Sequence, residues 1–121
     1  MVNVIFESPR YFNVWQYTVS HRRLLLRSSR DNPPETRIDV HFGGVGYMLL
    51  RPVYDGLLIR DPTEEERTRI YDSCGLTPSA GNVYILGPAP DSFVVSGPVQ
   101  WHEDEGSTDT PSWFGHMVGT K

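Results

Sequence analysis

The chain has 121 residues, 38% apolar and 21% charged, with 14 aromatics (three Trp, six Tyr, five Phe). This predicts a single domain, 1–121, with a real hydrophobic core. Its net charge of −4 argues against a general nucleic-acid binder, because neutralising phosphates calls for a basic excess. Cys74 stands alone, which excludes an intramolecular disulfide, and no apolar run is long enough for a membrane span. The start, MVNVIFESPRYF, has no basic-then-apolar signal pattern, so a cytoplasmic location is expected.

The elements read in chain order as mostly strands. FNVWQYTV (12–19) is rich in aromatic and β-branched residues, and Leu24–Leu26 form a short buried-strand run after the polar break at His21, Arg22 and Arg23. Too few residues separate the two for a parallel crossover, so they pair antiparallel. RSSRDNPPE (27–35) is a loop by composition. In TRIDVHF (36–42) Ile38, Val40 and Phe42 alternate with Arg37, Asp39 and His41, the clearest period of two in the chain. Gly43, Gly44 and Gly46 permit a turn or bulge before YMLLRPV, and Asp55-Gly56 reads as a hairpin turn into LLIR.

One helix is predicted near 62–74. Asp61 is the expected N-cap, Pro62 the first helical residue and Glu64 the capping-box partner; Glu65 and Arg69 form an i,i+4 pair and Gly75 is the stop. VYILG (83–87) and FVVSGPVQW (93–101) follow as strands, with Pro98 marking an edge or bulge. The segment 102–121 is expected to be irregular and acidic, with Trp113 and Phe114 as anchors. The sum is a mainly β (α+β) domain, an antiparallel sheet or small barrel of about six or seven strands with one helix.

Residues 17–28, YTVSHRRLLLRS, resemble the strand–turn–strand of bacterial PH-like domains, in which a polar, Arg-containing corner leads into an aliphatic strand. RIDVHFGGVGYMLL and DGLLIR extend the resemblance over residues 12–60. The chain is also similar to short bacterial proteins that pair VWxYxVSH with a following IDVxF. The resemblance implies a PH-like barrel in a bacterial protein, and it brings no catalytic motif.

Charge is unevenly placed along the chain. Residues 1–60 carry eight Arg and five acids, or +3; residues 61–121 carry three cations and ten acids, or −7. Arginine suits planar, bidentate pairing, so the basic half can pair with the acidic half or with an external anion. The corner of His21, Arg22 and Arg23, with Arg27 and Arg30 nearby, is the candidate anion-binding site. Trp101, Glu103, Asp104, Glu105 and Trp113 form the candidate partner-binding set.

Catalytic and metal chemistry find little support. His102-Glu103-Asp104-Glu105 is rich in ligands, but the position four after His102 is Gly106 and the spacing fits no calcium loop. Cys74 sits at a helix C-terminus, where the dipole disfavours a thiolate. GGVG (43–46) lacks the Lys-Ser/Thr of a phosphate loop. The expected function is a small non-catalytic binding module for a protein or an anionic ligand, with an immunity or antitoxin type as one form, and without metal or cofactor. The alternative is an enzyme with a site such as His41 with Asp39, or His102 with Glu103.

Overall fold

A computed structural model describes residues 3–28, 36–77, 79 and 81–105. Among them the chain runs β1 (Val4–Thr18), β2 (Arg23–Ser28), β3 (Arg37–Phe42), β4 (Tyr47–Leu49), β5 (Val53–Arg60), α1 (Glu64–Cys74), β6 (Asn82–Leu86), β7 (Phe93–Ser96) and β8 (Val99–Asp104). The eight strands form one sheet in the order β4-β7-β6-β5-β1-β2-β3-β8, and every pairing is antiparallel. The described residues are therefore mainly β, with one helix.

The sheet coils around its own core. β7 lies near one end of the order and β8 at the other, yet only Gly97 and Pro98 separate them in sequence. Pro98, which has no N–H to give a ladder, falls in this break. Gly97 N–H donates to the Gly43 carbonyl at 2.9 Å, and Val99 N–H to the Tyr84 hydroxyl at 3.1 Å, tying the two ends together. Aromatic contacts span the same interior: Phe42 lies 5.8 Å from Tyr84, and Phe6 5.2 Å from Trp101. The edges, β4 and β8, are not paired with each other.

Register explains the core. Residues directly opposite in an antiparallel pair share a face. Val14, Leu26, Val40 and Trp101 make one such row, and Tyr17, Leu24, Phe42 and Val99 the next. Phe12, Tyr54, Leu57, Ile59 and Val94 complete this interior. A smaller cluster lies on the outer face of β6 and β7, where Val83, Ile85, Phe93 and Val95 pack against Ile70 of α1, with Tyr71, Cys74 and Leu76 at its margin.

The strand expected over 93–101 is divided into β7 and β8, and three further local readings change. Asp55 and Gly56 lie inside β5, not in a hairpin turn; Gly56 (φ +85°) sits where the β1–β5 register slips between Ser8 and Tyr11. A left-handed glycine serves a bulge as well as a turn, so the dipeptide alone does not choose between them. The helix cap is Thr63 rather than Asp61, with Glu66 as its capping-box partner, and α1 ends at Gly75 in the left-handed conformation as expected. Glu66 serves two elements: it accepts from Thr63 N–H and takes the buried Arg60 guanidinium in two bonds of 2.8 and 2.9 Å. Finally, β8 runs to Asp104, three residues into the segment expected to be irregular; residues 106–121 lie outside the described residues.

Candidate functional site

The alternation that builds the core also sets a row of charges on the opposite face. Asn13, Arg27, Asp39 and His102 stand opposite one another across β1, β2, β3 and β8. Arg27 is fully buried and donates from Nε and Nη2 to both carboxylate oxygens of Asp39, at 2.8 and 3.1 Å. Trp15, in the bulge of β1, lies over the guanidinium at 5.1 Å, a cation–π contact. One row along, Arg37 makes the same two-pronged bond to Asp104, at 3.0 Å for each prong. Arg23 donates from Nε to Nε2 of His41 at 3.0 Å. Burial and the Arg23 charge lower the pKa of His41, and a hydrogen bond to Gln100 opposes them.

These contacts place the expected anion-binding corner in detail. His21 and Arg22 are exposed in the turn between β1 and β2, with His21 Nδ1 3.0 Å from Ser20 Oγ. Arg22 holds an unusual backbone conformation (φ +50°), and its carbonyl accepts from Val45 N–H at 2.8 Å. Arg23 and Arg27 turn to His41 and Asp39 on the sheet. The four residues are thus divided between an exposed turn and a face of internal pairs. Arg30 lies outside the described residues.

The candidate partner-binding set is split as well, because β8 alternates faces. Trp101 and Glu103 stand on the core side of this edge strand. Trp101 is 45% exposed and rests on Phe6, and Glu103 accepts from the Thr36 hydroxyl and lies 3.9 Å from Arg10. His102 and Asp104 point to the other face, 3.9 Å apart, where Asp104 holds Arg37. Glu105 is exposed, and Trp113 lies outside the described residues. Strand geometry thus puts His102 and Glu103 on opposite faces, while Asp39, although on the face of His41, is held by Arg27. Among the described residues, no group of three or more His, Cys, Asp or Glu converges as metal ligands do.

A groove lies elsewhere on the sheet. About 560 Å³ opens where β1 and β5 bulge apart beside the turn from Gly87 to Asp91. This is within the size range of sites that take a ligand or an anchoring side chain. Leu57, Leu86, Pro9 and Pro88 supply apolar walls, and Glu7, Asp55 and Asp91 supply carboxylates. Arg51 neutralises Asp91 in an exposed pair. Glu7 and Asp55 have no side-chain hydrogen bond or ion pair among the described residues, so the groove keeps an excess of two negative charges. The Tyr54 hydroxyl stiffens its floor by bonding Ser92 and accepting from Arg51 N–H.

A second, more apolar groove of about 340 Å³ lies between edge strand β4 and α1, lined by Tyr47, Met48, Leu49, Ile70, Cys74 and Phe93 among others. Tyr47 stacks on Phe93 at 5.9 Å, and a hydrogen bond to Cys74 raises the pKa of its phenol. The two grooves share a ridge: Leu49 and Pro90 line one, Arg51 and Asp91 the other.

Sequence reasoning missed Glu7 and Asp55. Register brings them to one groove from 48 positions apart, and neither belongs to a binding or catalytic motif. The one signal present was the Asp55-Gly56 dipeptide, which marks the bulge. No family model, curated protein or solved structure matches the chain.

Proposed function

We propose that the chain is a non-catalytic binding module whose partner is a protein with a basic surface, held at the groove between β1, β5 and the 87–91 turn. The observation that supports this is the charge imbalance of the groove: among the described residues Glu7 and Asp55 have no counter-ion beside its apolar walls. Elsewhere the described acids of the sheet are matched to arginines, as in Arg27–Asp39 and Arg37–Asp104, and Glu66 of α1 takes Arg60 of β5. Those pairs hold strands and helix together. Two carboxylates over an apolar floor instead suit a lysine or arginine, whose methylene stem covers apolar surface while its head meets the charge. An immunity or antitoxin protein covering a basic toxin is one form of this role.

The experiment is affinity capture from the source cell with the wild-type chain and with Glu7→Gln/Asp55→Asn. The reading expects a basic protein retained by the wild type and lost by the variant. Recovery of the same proteins by both would overturn it.

A further inference from the structure

We infer that the two grooves together form one docking track for an extended segment of the protein partner, which places a basic side chain between Glu7 and Asp55 and an apolar side chain beside Leu49. This deepens the reading of the chain as a binding module and rests on it.

The grooves meet beside the Arg51–Asp91 pair, and near neighbours in sequence line both: Leu49 and Pro90 the apolar groove, Arg51 and Asp91 the acidic one. A chain lying over this pair meets both grooves.

The chemistry of the two ends differs in a way that orders the segment. At one end stand the carboxylates of Glu7 and Asp55, which call for a cation. At the other, Glu66 and Arg69 are already occupied by Arg60 and Glu65, leaving an apolar lining. Leu49 is 49% exposed and Tyr47 41% exposed, large apolar side chains with no covering element among the described residues. Among the described residues β4 is also an edge strand, bonded only to β7. Its other side offers backbone groups to an incoming strand, so main-chain bonds supply affinity while the two grooves select side chains.

The test uses synthetic extended peptides of about eight residues, each with one Arg and one Leu at varied separation, and companions in which Gln replaces Arg or Ser replaces Leu. Binding is followed by NMR shift perturbation on the full chain. The inference expects one separation to bind best, with shifts at both grooves. Affinity falls about tenfold in either companion, in Glu7→Gln/Asp55→Asn, and in Leu49→Ser. Both variants change exposed side chains, and thermal unfolding verifies their fold.

Binding that depends on Arg but ignores Leu and Leu49→Ser would overturn the two-point track and leave the acidic groove standing. So would a result in which free arginine amide shifts the same resonances as strongly as the best peptide. Self-association of the chain through β4, seen as a concentration-dependent mass, would also overturn it. Absence of peptide binding, with a basic protein still captured in a Glu7- and Asp55-dependent way, overturns the track while the broader reading holds. Capture indifferent to those two residues sinks both.

Discussion

Arg27 and Asp39 are joined in the sheet by two hydrogen bonds of 2.8 and 3.1 Å between side chains that are 0% and 2% exposed, and Arg37 Nε lies 3.9 Å from the same carboxylate. Burial makes such a pair expensive to break and cheap to replace whole. Asp39→Asn strands a charged guanidinium beneath Trp15 and should cost about 3–5 kcal/mol. Arg27→Met with Asp39→Leu removes both charges together and should cost less than either single change. Chemical denaturation of Asp39→Asn, of the double variant and of its two components, Arg27→Met and Asp39→Leu, checks this. An additive double variant would mean that the pair is not coupled.

The pH dependence of stability should fall in two steps. His41 has a lowered pKa in the fold, so below its ordinary value of 6.5 the unfolded chain binds a proton that the folded chain refuses. Stability therefore rises with pH there, and it is lost as pH falls from about 6.5. Glu66 is held at about 2, mainly by its hydrogen bonds to Arg60, against 4.5 for a free glutamate. Its contribution is complete above 4.5 and is lost as pH falls towards 2. After allowance for water around the pair it is on the order of 2 kcal/mol. Denaturation curves across this range should lose the upper step in His41→Gln and the lower one in Glu66→Gln.

Gly81 is predicted to be the least replaceable glycine. Its φ is +134°, and a Cβ would stand 2.8 Å from the Ser96 carbonyl oxygen, a backbone atom of β7. Gly44 also has positive φ (+63°), but a Cβ there meets nothing within 4 Å. Gly81→Ala should cost about 3 kcal/mol or more and Gly44→Ala about 1. Thermal unfolding of the two variants separates a steric requirement from a merely conformational one.

How much of this was legible in the sequence depended on the range of the signal. Period-two alternation in RIDVHF marked both the core row (Ile38, Val40, Phe42) and the charged row opposite (Arg37, Asp39, His41), because each depends on neighbours two apart. The helix and its Gly75 stop were legible for the same reason, although the cap moved to Thr63. Local pattern could not give the partners. The bonding of Arg27 to Asp39 follows from the β2–β3 register, and that of Arg37 to Asp104 from β3–β8, which joins residues 67 apart. The basic half and the acidic half were seen as able to pair; which charges do so, and which are left over at Glu7 and Asp55, is decided by strand order. Strand alternation also divided the acidic stretch at 103–105, which reads as one patch in a linear sequence.

Helix α1 should prove to be held mainly at its N-terminal end. Thr63 accepts from Glu66 N–H at 3.1 Å while Glu66 takes Thr63 N–H at 2.9 Å, and Ile70 is its one buried residue. Thr63→Ala should cost about 1 kcal/mol, and Ile70→Ala about 2–4 kcal/mol. Hydrogen exchange should show the Thr63→Ala loss confined to the helix, with protection in β1–β3 unchanged.

The central claim is that Glu7 and Asp55 hold a basic side chain of a protein partner. The most direct measurement is the Kd of the captured partner for the wild type and for Glu7→Gln/Asp55→Asn at low and high salt. The account predicts binding at least about tenfold weaker in the variant at low salt, with a shallower salt dependence and an unchanged unfolding temperature. Equal Kd values and equal salt dependence for the two proteins would contradict it.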